Sequence, residues 1–86
     1  MPGAHGGDVG EIVMGVLRSI RPTGAGGALY GSDSGLADVG FTSVEMVQVM
    51  LGIEAAFDLM IPQEFITPEN FSDANAITRL MEQLKS

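Results

Sequence analysis

The sequence contains no cysteine and no tryptophan, and its single histidine is His5. Without cysteine the chain can form neither a disulfide nor a thiolate metal site, and one histidine cannot build a zinc centre. A serine nucleophile needs a base within hydrogen-bond reach, and this histidine lies in a glycine-rich N-terminal stretch that we expect to be flexible. We therefore predict no catalytic residues and no metal ligands.

Positive charge is also scarce. The chain has four Lys and Arg residues against eleven Asp and Glu residues, which gives a net charge of −7. No Lys or Arg occurs between residues 22 and 78. Such a surface repels a phosphate backbone, so we expect no nucleic-acid partner, whereas a partner with a basic patch would be attracted. Acidity that only keeps a small domain in solution explains the same charge equally well.

Long apolar runs are absent as well. No stretch approaches the roughly 20 residues that a membrane-spanning helix needs, and the N-terminus lacks the features of a secretory signal. Hydrophobic residues make up 45% of the 86-residue chain, which is enough for one small folded domain. We predict a flexible segment over residues 1–7 and a domain over residues 8–85, with a cytoplasmic location, no membrane contact and a monomeric state.

Helical periodicity predicts a first helix from Asp8 to Arg21. Asp8 and Glu11 have the spacing of a capping box, and Pro22 disfavours helical geometry in the residue before it. The apolar residues recur every three or four positions and form one stripe: Val9, Ile12, Val13, Val16, Leu17 and Ile20. Residues 22–40 are rich in glycine, which predicts a long loop. Its expected anchors to the core are Leu29, Leu36 and Tyr30.

A second helix is predicted from Ser43 to Asp58. Thr42 suits the N-cap position, and Glu45 stands three residues later, so the pair can close a capping box. Apolar residues at helical spacing predict its core-facing stripe as Met46, Val49, Met50, Ile53 and Phe57.

The rest of the chain predicts one short and one longer helix. Pro62 ends the segment after the second helix, and a helical turn is expected in "PQEF" or "TPEN". The last helix should begin after Ser72 and bury Ile77, Leu80, Met81 and Leu84. No stretch alternates like a strand. We therefore predict an all-α fold, a small four-helix bundle with three main helices, a short third helix and a long loop between the first two.

Ser43 is the residue whose position calls for an explanation. As the first residue of a helix capped by Thr42, it should project outward at the positive end of the helix dipole, where an attached anion is tolerated. Val47 and Leu51 follow on the same face at intervals of four and predict an apolar track beside the hydroxyl. On position alone, a purely local role in the first turn is the commoner explanation for such a serine.

The segment "DVGFTSVEMVQVMLGIEAAFDLMIP", residues 38–62, resembles the signature of the acyl carrier protein family. That pattern is close to Asp-Leu-Gly-x-Asp-Ser-Leu, followed by a helix that ends Glu-x-x-Phe-x-x-x-Ile-Pro. The matching residues are Asp38, Gly40, Ser43, Val47, Glu54, Phe57, Asp58, Ile61 and Pro62. Val39 and Val44 replace leucines, and the order of helices outside the motif extends the resemblance over nearly all of residues 8–85.

The resemblance implies that Ser43 is the attachment site of 4′-phosphopantetheine, which a separate phosphopantetheinyl transferase would add from coenzyme A. The working thiol would then belong to the cofactor, which agrees with a chain that lacks cysteine. Such a chain is a carrier and not an enzyme. Thr42 stands where the family usually has Asp. Both residues can cap the helix, but the lost charge could change which transferases recognise the chain.

The surface of the second helix predicts the kind of partner. Its expected exposed positions carry a single charge: Glu45, Gln48, Gly52, Ala55 and Ala56. Apolar anchors usually contribute more to an interface than charges at its rim. We therefore expect a specialised partner that contacts Val44, Glu45, Val47, Gln48 and Leu51.

Three functions are consistent with the sequence. The stretch "ITPENFSDANAI" is similar to stand-alone carriers of amino acids, so the leading prediction is a discrete carrier that holds an aminoacyl group as a thioester on Ser43-linked phosphopantetheine. A cargo-loading ligase and a downstream acceptor enzyme would be its further partners. The alternatives are an acyl carrier for fatty-acid or polyketide-like chains and an unmodified carrier-like interaction module.

Overall fold

Four α-helices and two 3₁₀ turns make up the computed structural model, which describes the backbone of residues 5–85 and the side chains of residues 9–85. No strand occurs in that part of the chain. The helices are α1 (His5–Ile20), α2 (Leu36–Val39), α3 (Ser43–Phe57) and α4 (Ala74–Lys85), and the 3₁₀ turns are Ala25–Gly27 and Gln63–Phe65. The all-α prediction with three main helices is confirmed.

The start of α1 differs from the prediction. The helix begins at His5, three residues before the expected start at Asp8, so residues 5–7 are helical. Glycine is a poor helix former, but it keeps its backbone N–H, so the glycines at 6 and 7 do not stop the hydrogen-bonded ladder. Residues 1–4 of the predicted flexible segment lie outside the described residues. At the other end, α1 stops at Ile20, one residue before the predicted end.

The loop between α1 and α3 is more ordered than its glycine content suggests. Its short helix α2 buries Leu36 and Val39, of which the sequence analysis named only Leu36. Leu29 is 88% exposed, so its prediction as an anchor is wrong. Tyr30 does anchor the loop: its ring packs edge-on against Phe41, and its hydroxyl donates a hydrogen bond to a backbone carbonyl oxygen at the end of α1.

Helix α1 packs against both α3 and α4, and their apolar faces form the core. The residues with no more than 3% exposure are Val13, Leu17, Leu36, Val49, Ile53, Ala74, Ile77, Leu80 and Met81. Ile12, which was assigned to the buried stripe, is exposed, and its neighbour Met14 is buried instead. The predicted core-facing stripe of α3 is only partly buried. Val49 and Ile53 are buried, whereas Met46, Met50 and Phe57 are half-buried against the core.

Helix α3 lies close against α1 at Gly52. A Cβ atom placed there would lie 2.8 Å from the Cγ1 atom of Val16, closer than such atoms can pack. Gly52 therefore faces α1, and the prediction that it is an exposed position of the helix is wrong. The absence of a side chain at Gly52 is what allows the backbone of α3 to lie against α1 here.

The predicted short third helix is a single 3₁₀ turn, Gln63–Phe65, followed by a turn at Pro68–Asn70. Thr67 accepts a hydrogen bond from the Asn70 backbone amide at 3.2 Å, so the "TPEN" segment forms a capped turn and not a helix. Helix α4 begins at Ala74, close to the predicted start after Ser72. Ile77, Leu80 and Met81 are buried as predicted, whereas Leu84 is half-buried against the core.

Candidate functional site

Ser43 is the first residue of α3 and is exposed. The residue before it, Thr42, has extended backbone angles and acts as the N-cap. The Glu45 backbone amide donates to Oγ1 of Thr42 at 3.1 Å, and the Thr42 amide donates to Oε1 of Glu45 at 2.9 Å. The predicted capping box is therefore present. The Ser43 hydroxyl makes no hydrogen bond to any described residue of the chain, and it stands at the positive end of a helix of 15 residues.

Glu45 has a second partner that sequence reasoning missed. Its Oε1 also accepts a hydrogen bond from Nε of Arg21, at 3.2 Å, and the two side chains form an ion pair. The Thr42 backbone amide and, after it, the Arg21 guanidinium hold the pKa of the Glu45 carboxyl below its ordinary value. Glu45 was assigned to a surface that partners read, but its carboxylate is half-buried and engaged within its own chain. The first turn of α3 thus offers little free negative charge.

Gly40 explains how Arg21 comes so close to α3. Gly40 ends α2 in a left-handed conformation, with φ of 112°, which disfavours any residue with a side chain. A Cβ atom there would lie 3.4 Å from Nη2 of Arg21, so the guanidinium lies over the Gly40 backbone. The motif glycine therefore both permits the sharp turn before Ser43 and leaves room for Arg21.

An exposed apolar track runs along α3 from the Ser43 turn, as predicted. The exposed fraction is 70% for Val44, 52% for Val47 and 55% for Leu51, and Gln48 is exposed beside them. Large apolar side chains left this accessible along one helix are typical of an interaction surface. We call Val44, Val47 and Leu51 the apolar track.

An open groove of about 750 Å³ lies beside the apolar track and shares Val47 with it. Most of its lining is apolar and comes from α2, α3 and the segment before α4: Leu36, Phe41, Met46, Met50, Ile66 and Phe71 among others. A groove of this kind can shelter an apolar group, whereas a charged ammonium group is better solvated outside it.

The far end of the motif closes α3. The Glu54 carboxylate accepts a hydrogen bond from the Ile61 backbone amide at 2.8 Å, which fixes the chain as it leaves the helix. Asp58 caps the helix in a left-handed conformation, with φ of 54°, and the Ile61 side chain is buried. These motif residues set the end of the helix.

Other site types find no support in the described part of the chain. Over residues 9–85, no three His, Asp or Glu side chains come close enough together to hold a metal ion. None of the described helices is long and apolar enough to cross a membrane.

Comparisons with known proteins agree on one family. No protein-family model matches the chain. Two curated proteins of Bradyrhizobium diazoefficiens are similar to it over most of its length. Aminoacyl carrier protein 2 is 44% identical over 74 residues, which cover 86% of this chain and 83% of the relative. Aminoacyl carrier protein 1 is 42% identical over 79 residues, which cover 91% of this chain and 88% of the relative.

Two solved structures share the fold, both of them complexes of a Bradyrhizobium japonicum glycine:[carrier protein] ligase. The glycylated carrier protein in one complex is 36% identical with a TM-score of 0.73, over 85% of this chain and 97% of that chain. The cognate carrier protein bound with an analogue of glycyl adenylate is 38% identical with a TM-score of 0.68, over 91% of this chain and 96% of that chain. The resemblance drawn from the Ser43 motif and the preference for aminoacyl cargo are confirmed, and the chain belongs to the aminoacyl carrier proteins.

Proposed function

We propose that Ser43 is the residue to which 4′-phosphopantetheine is attached and that the aminoacyl cargo is carried there. The observation that supports this most strongly is an exposed serine as the first residue of a capped helix, in a chain of the aminoacyl carrier family. A thioester needs a thiol, and the chain has no cysteine to provide one. The cofactor supplies that thiol.

The residues around Ser43 fit an attached phosphate. The free backbone amides of the first turn and the dipole of α3 favour an anion at this end of the helix. The nearest carboxylate on the same turn, Glu45, is already paired with Arg21, which reduces its repulsion of a phosphate. In the attachment reaction, Oγ of Ser43 forms a bond to phosphorus and the diphosphate bond of coenzyme A breaks. Adenosine bisphosphate leaves, and the hydroxyl proton passes to a base of the transferase.

The proposed cargo is a small amino acid, with glycine as the first candidate. The two structural neighbours are a glycylated carrier protein and a cognate carrier protein of a glycine:[carrier protein] ligase. A ligase of the same class is therefore the proposed loading partner of this chain. An amino acid on the thiol keeps a charged ammonium group, which is best solvated outside the apolar groove and accessible to an acceptor enzyme.

The apolar track and Gln48 form the proposed contact surface for the transferase, the ligase and the acceptor enzyme. The track is exposed and continuous with the Ser43 turn, so a partner that covers it also reaches the hydroxyl. In this proposal all bond-making chemistry belongs to the partners, and the chain has no catalytic residue of its own. The cytoplasmic location and the monomeric state stay predictions from the sequence.

Attachment is tested by intact-protein mass spectrometry after incubation with coenzyme A and a phosphopantetheinyl transferase. We expect wild type to gain one phosphopantetheine group and Ser43→Ala to gain none. Ser19→Ala is the matched control, because Ser19 is an exposed serine on α1. If wild type gains no mass with any transferase tried, including that of the source organism, the proposal is wrong.

Cargo is tested on the modified protein. We expect an adenylating ligase with glycine to load it and an acyl-carrier synthetase with fatty acids to fail. Loading by fatty acids alone would favour the acyl-carrier alternative, for which the apolar groove beside α3 would be the shelter. If Ser43→Ala retained full function in the cell, the chain would instead be an unmodified interaction module.

A further inference from the structure

Arg21 stands out because cations are so few. The chain has four Lys and Arg residues, and Arg21 is the last of them before a stretch that contains none until Arg79. The same chain has eleven acidic residues, so most carboxylates cannot have a cation of their own as a partner. Among the described residues, the one ion pair joins Arg21 to Glu45. One of the four cations is thus placed on the carboxylate that closes the capping box of α3.

The contacts of Arg21 connect three parts of the chain. Its Nε donates to Oε1 of Glu45 in the first turn of α3, and its Nη1 donates to the Thr23 carbonyl oxygen at 3.3 Å. The Arg21 carbonyl oxygen accepts the Tyr30 hydroxyl at 2.5 Å. Its own amide remains bonded to the Leu17 carbonyl oxygen at 2.8 Å, so the residue is fixed to the end of α1.

The ion pair and the capping box share one oxygen atom. Oε1 of Glu45 accepts from both Thr42 and Arg21, so the ion pair and the capping box depend on each other. Ser43 lies between the two residues of the box. Without Arg21 the carboxylate would keep the Thr42 amide as a partner but lose its tie to the end of α1. It would also carry an uncompensated negative charge in the same turn as Ser43, where the phosphate of the donor arrives.

We propose that Arg21 is a positioning residue for the modification of Ser43. It ties the first turn of α3 to the end of α1 through Glu45, and it offsets the carboxylate that would otherwise repel the phosphate of the donor. The inference rests on the proposed attachment at Ser43. Arg21 acts through Glu45 and Thr42 and does not itself react.

The test compares kcat/KM for phosphopantetheine transfer to wild type, Arg21→Met, Arg21→Lys and Glu45→Gln. Met keeps the length of the apolar stem and removes the charge, Lys keeps the charge, and Gln keeps the capping-box acceptor without the ion pair. Arg79→Met is the matched control, because it removes one positive charge from an exposed position on α4. Circular dichroism and urea unfolding check that each variant folds.

We expect Arg21→Met to lower kcat/KM by about two- to fivefold, the range for a partly exposed ion pair. Arg21→Lys should recover part of the loss, and Arg79→Met should match wild type. The difference between wild type and Arg21→Met should shrink at about 0.5 M salt, because exposed charges are then screened. In a Glu45→Gln background, Arg21→Met should have little further effect.

Hydrogen exchange on the unmodified chain gives a readout that needs no partner enzyme. The Thr42 and Glu45 amides should exchange about two- to fivefold faster in Arg21→Met than in wild type, because the same ion pair is lost. If wild type is modified and Arg21→Met shows the same kcat/KM and the same amide exchange rates, the proposed role of Arg21 is wrong and the attachment at Ser43 still stands. The role is also wrong if Arg21→Met lowers kcat/KM as much in the Glu45→Gln background as in wild type. Failure of wild type to be modified would overturn both proposals.

Discussion

The two ends of α3 are held in opposite ways. From Val49 onward the helix is fixed by apolar packing: Val49 and Ile53 are fully buried, and Gly52 lies directly against Val16 of α1. The N-terminal turn is fixed by polar contacts near the surface, through Thr42, Glu45 and Arg21, and its Ser43 and Val44 side chains are exposed.

This difference separates stability from presentation. Burial of apolar side chains supplies most of the free energy of folding, and α3 contributes to it through the side chains that face the core from Val49 onward. The N-terminal turn contributes little burial and can therefore leave a hydroxyl exposed. Changes at the core-facing positions should thus cause the largest losses in the free energy of unfolding, whereas changes in the turn should mainly affect modification.

The largest effect is expected at Ile53. Ile53→Ala should lower the free energy of unfolding by about 2–5 kcal/mol, because it removes a buried side chain and leaves a cavity. Leu51→Ala, two residues earlier on the exposed track, should change it by less than about 0.5 kcal/mol. Urea unfolding measures both. If Ile53→Ala does not fold, Ile53→Val should still cost about 0.5–1.5 kcal/mol. Equal costs at the two positions would contradict the claim that the core-facing side of α3 supplies the burial energy.

A smaller effect that reverses sign is expected at Gly52. In wild type, Gly52→Ala should lower the free energy of unfolding by about 1 kcal/mol, because the new Cβ overlaps with Val16 and this outweighs the better helix propensity of alanine. In a Val16→Ala background the overlap is removed. Gly52→Ala should then raise the free energy of unfolding by up to about 1 kcal/mol relative to Val16→Ala alone. A double-mutant cycle of urea unfolding measures the reversal, and a cost of the same sign in both backgrounds would refute it.

Loss of the N-cap of α3 should lower the free energy of unfolding by a smaller amount. Thr42→Ala should lower the free energy of unfolding by about 1 kcal/mol, because the Glu45 amide loses its acceptor. Thr42→Asp, which restores the residue usual in carriers of this type, should stay within about 0.5 kcal/mol of wild type, since aspartate caps equally well. Thermal and urea unfolding check both variants. A Thr42→Ala variant as stable as wild type would show that the capping box does not hold this turn.

The smallest effect is a pH dependence that belongs to Glu45. The pKa of this carboxyl is lower in the folded chain than its ordinary value of 4.5, so its ionised form favours the folded state. Its contribution is therefore complete above the unfolded pKa and is lost as the pH falls through the lower, folded pKa. The difference in urea midpoint between wild type and Glu45→Gln should narrow on acidification from neutral pH. A difference that widens as the pH falls would contradict the assignment.

The sequence was most informative at positions where the residue type allows few local structures, such as helix caps and left-handed turns. Thr42 and Glu45 have the spacing of a capping box, which placed the start of α3 and with it the exposure of Ser43. Apolar spacing located three helices and most of the core. Gly40, Glu54 and Asp58 were recognised as motif residues, and the structure gives their physical reasons: a left-handed turn, an accepted backbone amide and a left-handed cap.

The features that sequence reasoning missed depend on contacts between distant segments. Arg21 and Glu45 are separated in the sequence by a glycine-rich loop. Hydrophobic periodicity does not predict the course of that loop, so it could not predict their contact. Gly52 looked like an exposed gap in an amphipathic pattern, although it faces α1. Leu29 and Ile12 are apolar but exposed, because hydrophobicity alone does not decide which side of a loop or helix is covered. The scarcity of cations was the one available signal for the contact between Arg21 and Glu45.

The most direct test of the central claim is the location of the added group. Wild-type protein isolated from its source organism, or modified in vitro with coenzyme A, is digested and fragmented in a mass spectrometer. The account predicts phosphopantetheine on Ser43 and, after loading with glycine, the aminoacyl group on the same peptide. A group found on any other hydroxyl, such as Thr42 or Ser34, or a chain that is never modified, would contradict it.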